Sequence, residues 1–513
     1  MVYINSFSGI VATLVLSIQA VSSRPHWQSI SDVELGISTT SGSLKGIING
    51  TTPNVRQFLG VPFAQPPTGN LRWMPPNALP SNQSSAIVDA TKFSLNCPQY
   101  ESAIPTIYST YVREFFISGP SSEDCLTLSI WAPLQSHPED KLPVVIYLYG
   151  GGLQTGGSSV PYQNPAKWIE RTQSHIVVSI QYRLNIFGFP NAPGLESQNL
   201  GYLDQRAGVE WIHENIAAFG GNPEQMVLWG QSAGAISTDA YNFAYPDDPI
   251  VKGFICDSGI QLSATSIDDP TYSNFTFVAS QFNCTGSELL PCMRKIPVDD
   301  IEDFLKSYND ALATPALSFN AVLDDEIVFS NYTQRFINNQ LSPLPVIYGF
   351  TDNDTMSLDA FPANPLTESA HRTLASITQI PRFICPNSAA SYYRTQLGLK
   401  TYRFQYRGNF SNVSPLPWAG AYHSSELPMI FGTSEDFRGK NTELEWATSR
   451  AMQDAWLAFA RKPDGGLEEL GWGNSSGQMV QVFGGRSTYD DTGDNVAKQF
   501  ISLEELAESC SVK

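Results

Sequence analysis

The sequence predicts an α/β fold: a mostly parallel central sheet flanked by helices, with cap or lid insertions. Two observations carry that reading. Short apolar runs alternate with helix-patterned segments over most of the 513 residues, and strands separated by helices pair in parallel with helices on both faces. One of those runs, Met226 to Trp229, also turns sharply into a small-residue helix. No internal repeat, low-complexity tract or long linker divides the chain. Residues 23–513 therefore read as a single domain behind a signal peptide at 1–22.

The elements follow in order. Residues 33–48 alternate loosely, as early hairpin strands do, and Phe58 to Trp73 is a rigid segment rich in Pro and Gly. Cys97 and Cys125 bracket an insert in which Ile104, Ile107, Tyr108, Tyr111, Val112 and Phe115 share one helical face. Val144 to Tyr149 and Ile176 to Ile180 are buried-strand candidates. Leu203 to Ala218 is amphipathic, with Ala207, Trp211, Ile212 and Ile216 on one side. The strand Met226 to Trp229 follows. A helical, irregular stretch from about 260 to 340 reads as a cap over the sheet, and Val346 to Gly349 is the next strand.

Composition narrows the function. A net charge of −19 and a pI near 4.7 exclude phosphate-reading surfaces and attraction to anionic membranes, so nucleic acid is not a partner. Gly9 to Ile18 form an apolar core and Ala20 to Ser22 a cleavage site, the pattern of a secretory signal. No other segment is long and apolar enough for stable membrane insertion. Glycosylation sequons begin at Asn49, Asn82, Asn274, Asn283, Asn331, Asn409, Asn412 and Asn474, in keeping with a secreted, extracellular chain. Asn353 begins one more, beside a candidate catalytic residue, and is expected to be bare. Seven cysteines predict disulfides and one thiol left over.

The chemistry centres on Gly230 to Gly234, a G-x-S-x-G element between strand and helix. A serine exposed at such a corner needs a strained backbone, and side chains two positions away on either side would collide there. The helix start supplies free N–H groups where a negative oxygen develops. A second match, Gly473 to Gly477, follows no apolar strand and reads as a surface loop. Ser232 is therefore the candidate nucleophile, and Ser475 is not.

A nucleophilic serine needs a base, an orienting acid and donors for the oxyanion. Tyr149 to Gly152 end a buried strand, so glycine N–H groups there can face the site without a Cβ in the way. Two of these glycine N–H groups, with the Ala233 N–H after the serine, are the candidate donors. Of six histidines, His26 adjoins the signal peptide, His137 lies in a polar turn, His175 and His213 read as structural, and His371 is in a polar helical stretch. His423 follows a Pro-rich loop and comes after both serine and acid, the order such sites require. The acid falls in the loop after Val346 to Phe350, where Asp352 and Asp354 are both candidates.

Taken together, these blocks resemble the type-B carboxylesterase/lipase family, the α/β-hydrolase branch that includes cholinesterases and fungal lipases. The likeness runs through Phe58–Trp73, Glu123–Leu128, Tyr149–Gly152, Tyr182–Gly188, Gly201–Gln205, Phe219–Pro223, Gly230–Gly234, Gly349–Asp354 and Gly420–Glu426. The resemblance implies nucleophile Ser232, general base His423, acid Asp354 and oxyanion donors Gly151, Gly152 and Ala233. Many members have Glu where this chain has Asp354. It also implies bridges Cys97–Cys125 and Cys284–Cys292, leaving Cys256, Cys385 and Cys510 to supply one pair and one free thiol.

The implied activity is that of a secreted serine carboxylic ester hydrolase working through an acyl-enzyme on a small-molecule or lipid ester. Neither metal nor organic cofactor is expected. Cholinesterases carry a tryptophan in the first disulfide loop and glutamate before the serine; here that loop has no Trp and the residue is Gln231, which disfavours a quaternary-ammonium substrate. The stripe Ile104 to Phe115 fits either a mobile lid, as in an interfacially activated triacylglycerol lipase, or a fixed flap. A non-catalytic, cholinesterase-like binding protein is the remaining alternative.

Overall fold

The computed structural model describes residues 35–80, 87–366, 377–473, 478–487, 493–508 and 510. The proposed signal peptide, His26, His371, Asn82, Asn474 and Ser475 lie outside them. In chain order the strands are β1 Gly36–Thr39, β2 Gly42–Lys45, β3 Ile47–Asn49, β4 Thr52–Pro62, β5 Ile87–Asp89, β6 Thr127–Pro133 and β7 Leu142–Leu148. They continue as β8 Ile176–Ile180, β9 Gly221–Gln231, β10 Phe254–Asp257, β11 Val346–Thr351, β12 Thr401–Tyr406, β13 Met479–Phe483 and β14 Lys498–Ser502. β1, β2 and β5 form a small separate sheet.

The main sheet has 11 strands in the order β14-β13-β12-β11-β10-β9-β7-β8-β6-β4-β3. From β13 to β8 every pairing is parallel. The outer pairings, β13 with β14 and β8 with β6, β4 and β3 in turn, are antiparallel. Helices cover both faces, so the central strands are apolar almost without interruption: all of Ile176–Ile180 and Val346–Thr351 is buried. This is the α/β-hydrolase arrangement. The chain goes from β7 to β8, then back across β7 to β9, and a crevice opens where the order reverses, beyond the carboxyl ends of these strands.

Two ion pairs, one buried and one part-buried, explain why widely spaced sequence blocks belong together. Arg183 grips Asp204 with two side-chain bonds of 2.8 and 2.7 Å, joining Tyr182–Gly188 to Gly201–Gln205. Arg72 likewise grips Glu123, at 2.6 and 2.7 Å, joining Phe58–Trp73 to Glu123–Leu128. Losing one partner of the Arg183–Asp204 pair strands a buried charge, at a cost of about 3–5 kcal/mol.

Some elements differ from the sequence expectation. The amphipathic helix runs Leu200–Asn215 and tightens into a 3-10 turn, Ile216–Phe219. Strand β9 extends well beyond Met226–Trp229 because it has a partner on each side. The stripe Ile104–Phe115 is not one helix. It is two short turns, Ile107–Thr110 capped by Thr106 and Arg113–Phe115, with Ile104 exposed. Contacts rather than helical propensity decide this: Ile107 and Val112 sit in an apolar cluster with Leu416, Ala419 and Tyr422 from the segment carrying His423. Residues 260–340 form the helical cap, with a second apolar core that includes Phe275, Met293 and Ile301.

Bridges join Cys97 to Cys125, Cys284 to Cys292 and Cys385 to Cys510, and Cys256 is a buried free thiol. The sequon residue Asn412 is buried, and its amide nitrogen donates to Ser434 O and Asn441 Oδ1.

Candidate active site

Strand β9 delivers Ser232 to a turn with φ 57° and ψ −124°, a backbone conformation L residues seldom adopt. Both flanking glycines are sterically required. A Cβ on Gly230 would lie 1.9 Å from Gly234 O, and one on Gly234 would lie 2.0 Å from Leu148 O. The turn is held from outside: Ser232 N donates to Asp257 O at 2.8 Å, across the β9–β10 register. Helix Ala233–Ala244 then leads away, ending at Tyr245 before Pro246.

The glycine loop after β7 backs onto this corner; a Cβ on Gly150 would meet Ser232 Cβ at 2.8 Å. Gly151 has φ +112° and Gly152 φ +66°. Among the described residues neither N–H donates to another backbone carbonyl. The Ala233 N–H, in the first turn of its helix, has no intrahelical acceptor. Gly151, Gly152 and Ala233 line the same cavity as Ser232.

Asp354 and His423 come from loops after β11 and β12. His423 Nδ1 lies 2.6 Å from Asp354 Oδ1, while Asp354 Oδ2 accepts from Thr351 N at 2.9 Å. Asp354 is fully buried and His423 nearly so. The two loops are stitched directly: Asn353 N donates to Ala421 O and Asn353 Nδ2 to Ala419 O. Asp352 turns away, accepting from Gln405 Nε2 and Ser487 Oγ. Of the other described histidines, His175 is buried beside Trp168 and pushed down to about 3 by that burial. His213 is exposed near Glu224, and His137 lies in a surface 3-10 turn.

Ser232, His423, Gly151, Gly152 and Ala233 line one cavity of about 690 Å³, a size that suits a small organic ligand. Gln231 Nε2 lies 3.4 Å from His423 Nε2. The roof is the Cys97–Cys125 insert, from which Tyr108, Phe115 and Phe116 face the cavity. Arg438 pins the insert through Tyr111 O and Glu114, and Ser118 N donates to Ser159 Oγ.

Two further buried carboxyls escaped the sequence reading. Asp257 ends β10 and Glu426 lies three residues past His423; both are fully buried beside each other. Burial first, and the neighbouring Asp354 second, push Asp257 well above the usual carboxylate range. Burial and Asp257 do the same to Glu426. The only sequence signal was an acid placed just past each of two apolar or catalytic stretches. Among the described residues no helix is long and apolar enough to cross a membrane, and no acidic, His or Cys cluster is arranged to hold a metal.

The sequence profile of the carboxylesterase family matches residues 33–373. The chain is 44% identical over 473 residues to a chlorogenic acid esterase of Aspergillus niger, covering 91% of this chain and 90% of that one. It is 36% identical over 534 residues to secreted lipase 5 of Gibberella zeae, covering 98% of each, and 29% identical to an acylcarnitine hydrolase of Mus musculus, covering 84% of each. With a family profile that matches residues 33–373 and relatives 44% and 36% identical over most of its length, the chain belongs to the carboxylesterase family and is a carboxylic ester hydrolase.

Proposed function

We propose that this chain is a secreted serine esterase in which Ser232 attacks the ester carbonyl, His423 takes its proton and Asp354 orients the imidazole. The carbonyl oxygen becomes an oxyanion held by the N–H groups of Gly151, Gly152 and Ala233, each worth about 3–4 kcal/mol of barrier. His423 returns the proton to the departing alcohol, leaving an acyl group on Ser232. Water, deprotonated by His423, then attacks the acyl carbonyl, the acid leaves and Ser232 is regenerated. The observation that carries this reading is the 2.6 Å contact of His423 with Asp354, with His423 and Ser232 on the walls of one cavity.

The substrate is a soluble ester rather than an oil droplet. Supporting this, the Cys97–Cys125 insert is fastened at Tyr108, Tyr111, Glu114 and Ser118 instead of lying loose over the cavity. The similarity to a chlorogenic acid esterase makes chlorogenic acid the natural substrate to try. Export is supported by the N-terminal apolar run and the similarity to a secreted fungal lipase.

The test is hydrolysis of p-nitrophenyl esters from short to long acyl chains by the native protein and Ser232→Ala. The variant is expected to lose about 10⁴–10⁶ in rate. Equal rates in the two proteins would remove Ser232 from the chemistry, and an optimum at the longest chains would restore the lipase reading.

A further inference from the structure

We propose that Arg382 reads the substrate by binding an ionised carboxylate on a part of the ester away from the bond that is cut. The inference rests on the ester-hydrolase reading of the same cavity and names the kind of ester it takes.

The cavity wall is mostly uncharged. Besides His423, its described charged side chains are Asp359 and Arg382. Asp359 is half-buried and already engaged within the protein. Arg382 is different: it is exposed where it lines the cavity, and among the described residues its guanidinium has no ion pair or hydrogen bond; it lies 5.8 Å from the Phe383 ring. In a protein of net charge −19, an arginine left unpaired at a cavity is a local positive site in a field that otherwise repels anions.

The backbone holds it there. Ile380–Ile384 is a single π-helical turn, a wider turn that recurs at functional sites. It presents Pro381, Arg382 and Phe383 together to the cavity. The Phe383 ring packs 5.9 Å from the His423 ring, so the arginine backbone is one residue, about 4 Å, from the residue touching the base. Because Ser232 and Arg382 line the same cavity, a substrate whose carbonyl sits at Ser232 meets Arg382 with a group away from the bond that is cut. The planar guanidinium matches a carboxylate with two parallel N–H···O bonds, which an ammonium would not reproduce.

The experiment compares esters that differ by one charge. Chlorogenic acid and its methyl ester place the carboxylate on the alcohol side; mono-p-nitrophenyl adipate and its methyl ester place it on the acyl side. The native enzyme is expected to prefer the free acid in one pair by about tenfold in kcat/KM, a preference that 0.5 M salt weakens. In Arg382→Gln the preference collapses towards unity, and Arg382→Lys keeps part of it. No preference in either pair, or one that survives in Arg382→Gln, would overturn the proposal. Failure of the ester reading itself looks different: neutral p-nitrophenyl esters would then be cut no faster by the native protein than by Ser232→Ala.

Discussion

The hydroxyl of Tyr108 donates a hydrogen bond to the backbone carbonyl of His423 at 2.7 Å, and lies 3.0 Å from the Ser357 hydroxyl. One side chain thus ties the Cys97–Cys125 insert to the loop bearing the proposed base and to the turn that starts at Asp354. The Tyr108 ring also packs edge-on against Tyr422 and Phe115. An insert bonded to the proposed catalytic loop cannot lift without disturbing that loop.

Tyr108→Phe keeps the ring contacts and removes the bond. One lost buried hydrogen bond corresponds to about a two- to tenfold change, so kcat is expected to fall by that much with little change in KM. Native activity on tributyrin is expected to saturate smoothly through its solubility limit. A jump in rate there would show that the insert opens after all.

Glu302 supplies a pH dependence of stability. It is nearly buried on helix Val298–Asp310 with Oε1 unpartnered, and burial, then Asp299 and Asp303, pushes it up to about 8. A raised folded pKa means the folded chain holds a proton that the unfolded chain has released. Its contribution is therefore complete below about pH 4.5, declines as pH rises, and is gone above about 8. Glu302→Gln is expected to flatten that decline, with a Tm advantage over native protein that grows by about 2–4 °C between pH 4.5 and 8. Parallel Tm–pH curves for the two proteins would show that Glu302 titrates normally.

Glycopeptide mapping of protein secreted from a eukaryotic host tests the site from another side. Asn353 and Asn412 are expected to be bare, since both amide nitrogens are buried and donate hydrogen bonds. Asn49, Asn283, Asn331 and Asn409 are exposed and open to modification. Full occupancy at Asn353 would break its contact with Ala419, remove Asp354 as the acid and direct attention to Asp352.

What the residues determined alone was local. Gly230 to Gly234 announced a strained strand-to-helix corner because only glycine tolerates carbonyls about 2 Å from a Cβ position, a constraint written within five residues. The apolar runs of β7, β8 and β11 announced a sheet covered on both faces for the same short-range reason. Tertiary structure decided whatever depends on distance between remote segments. Asp352 and Asp354 are equivalent by turn chemistry and periodicity, with only the family resemblance favouring Asp354, and it is the approach of a loop 69 residues on that gives Asp354 the histidine. Cys385 and Cys510 are 125 residues apart, and nothing in their neighbours ranked them over Cys256. The stripe Ile104 to Phe115 had helical spacing, yet contacts with Leu416 and Tyr422 broke it into two turns. Periodicity and turn chemistry act along the chain. The choice of partner acts across it, where burial and electrostatics outweigh a propensity of a few tenths of a kcal/mol per residue.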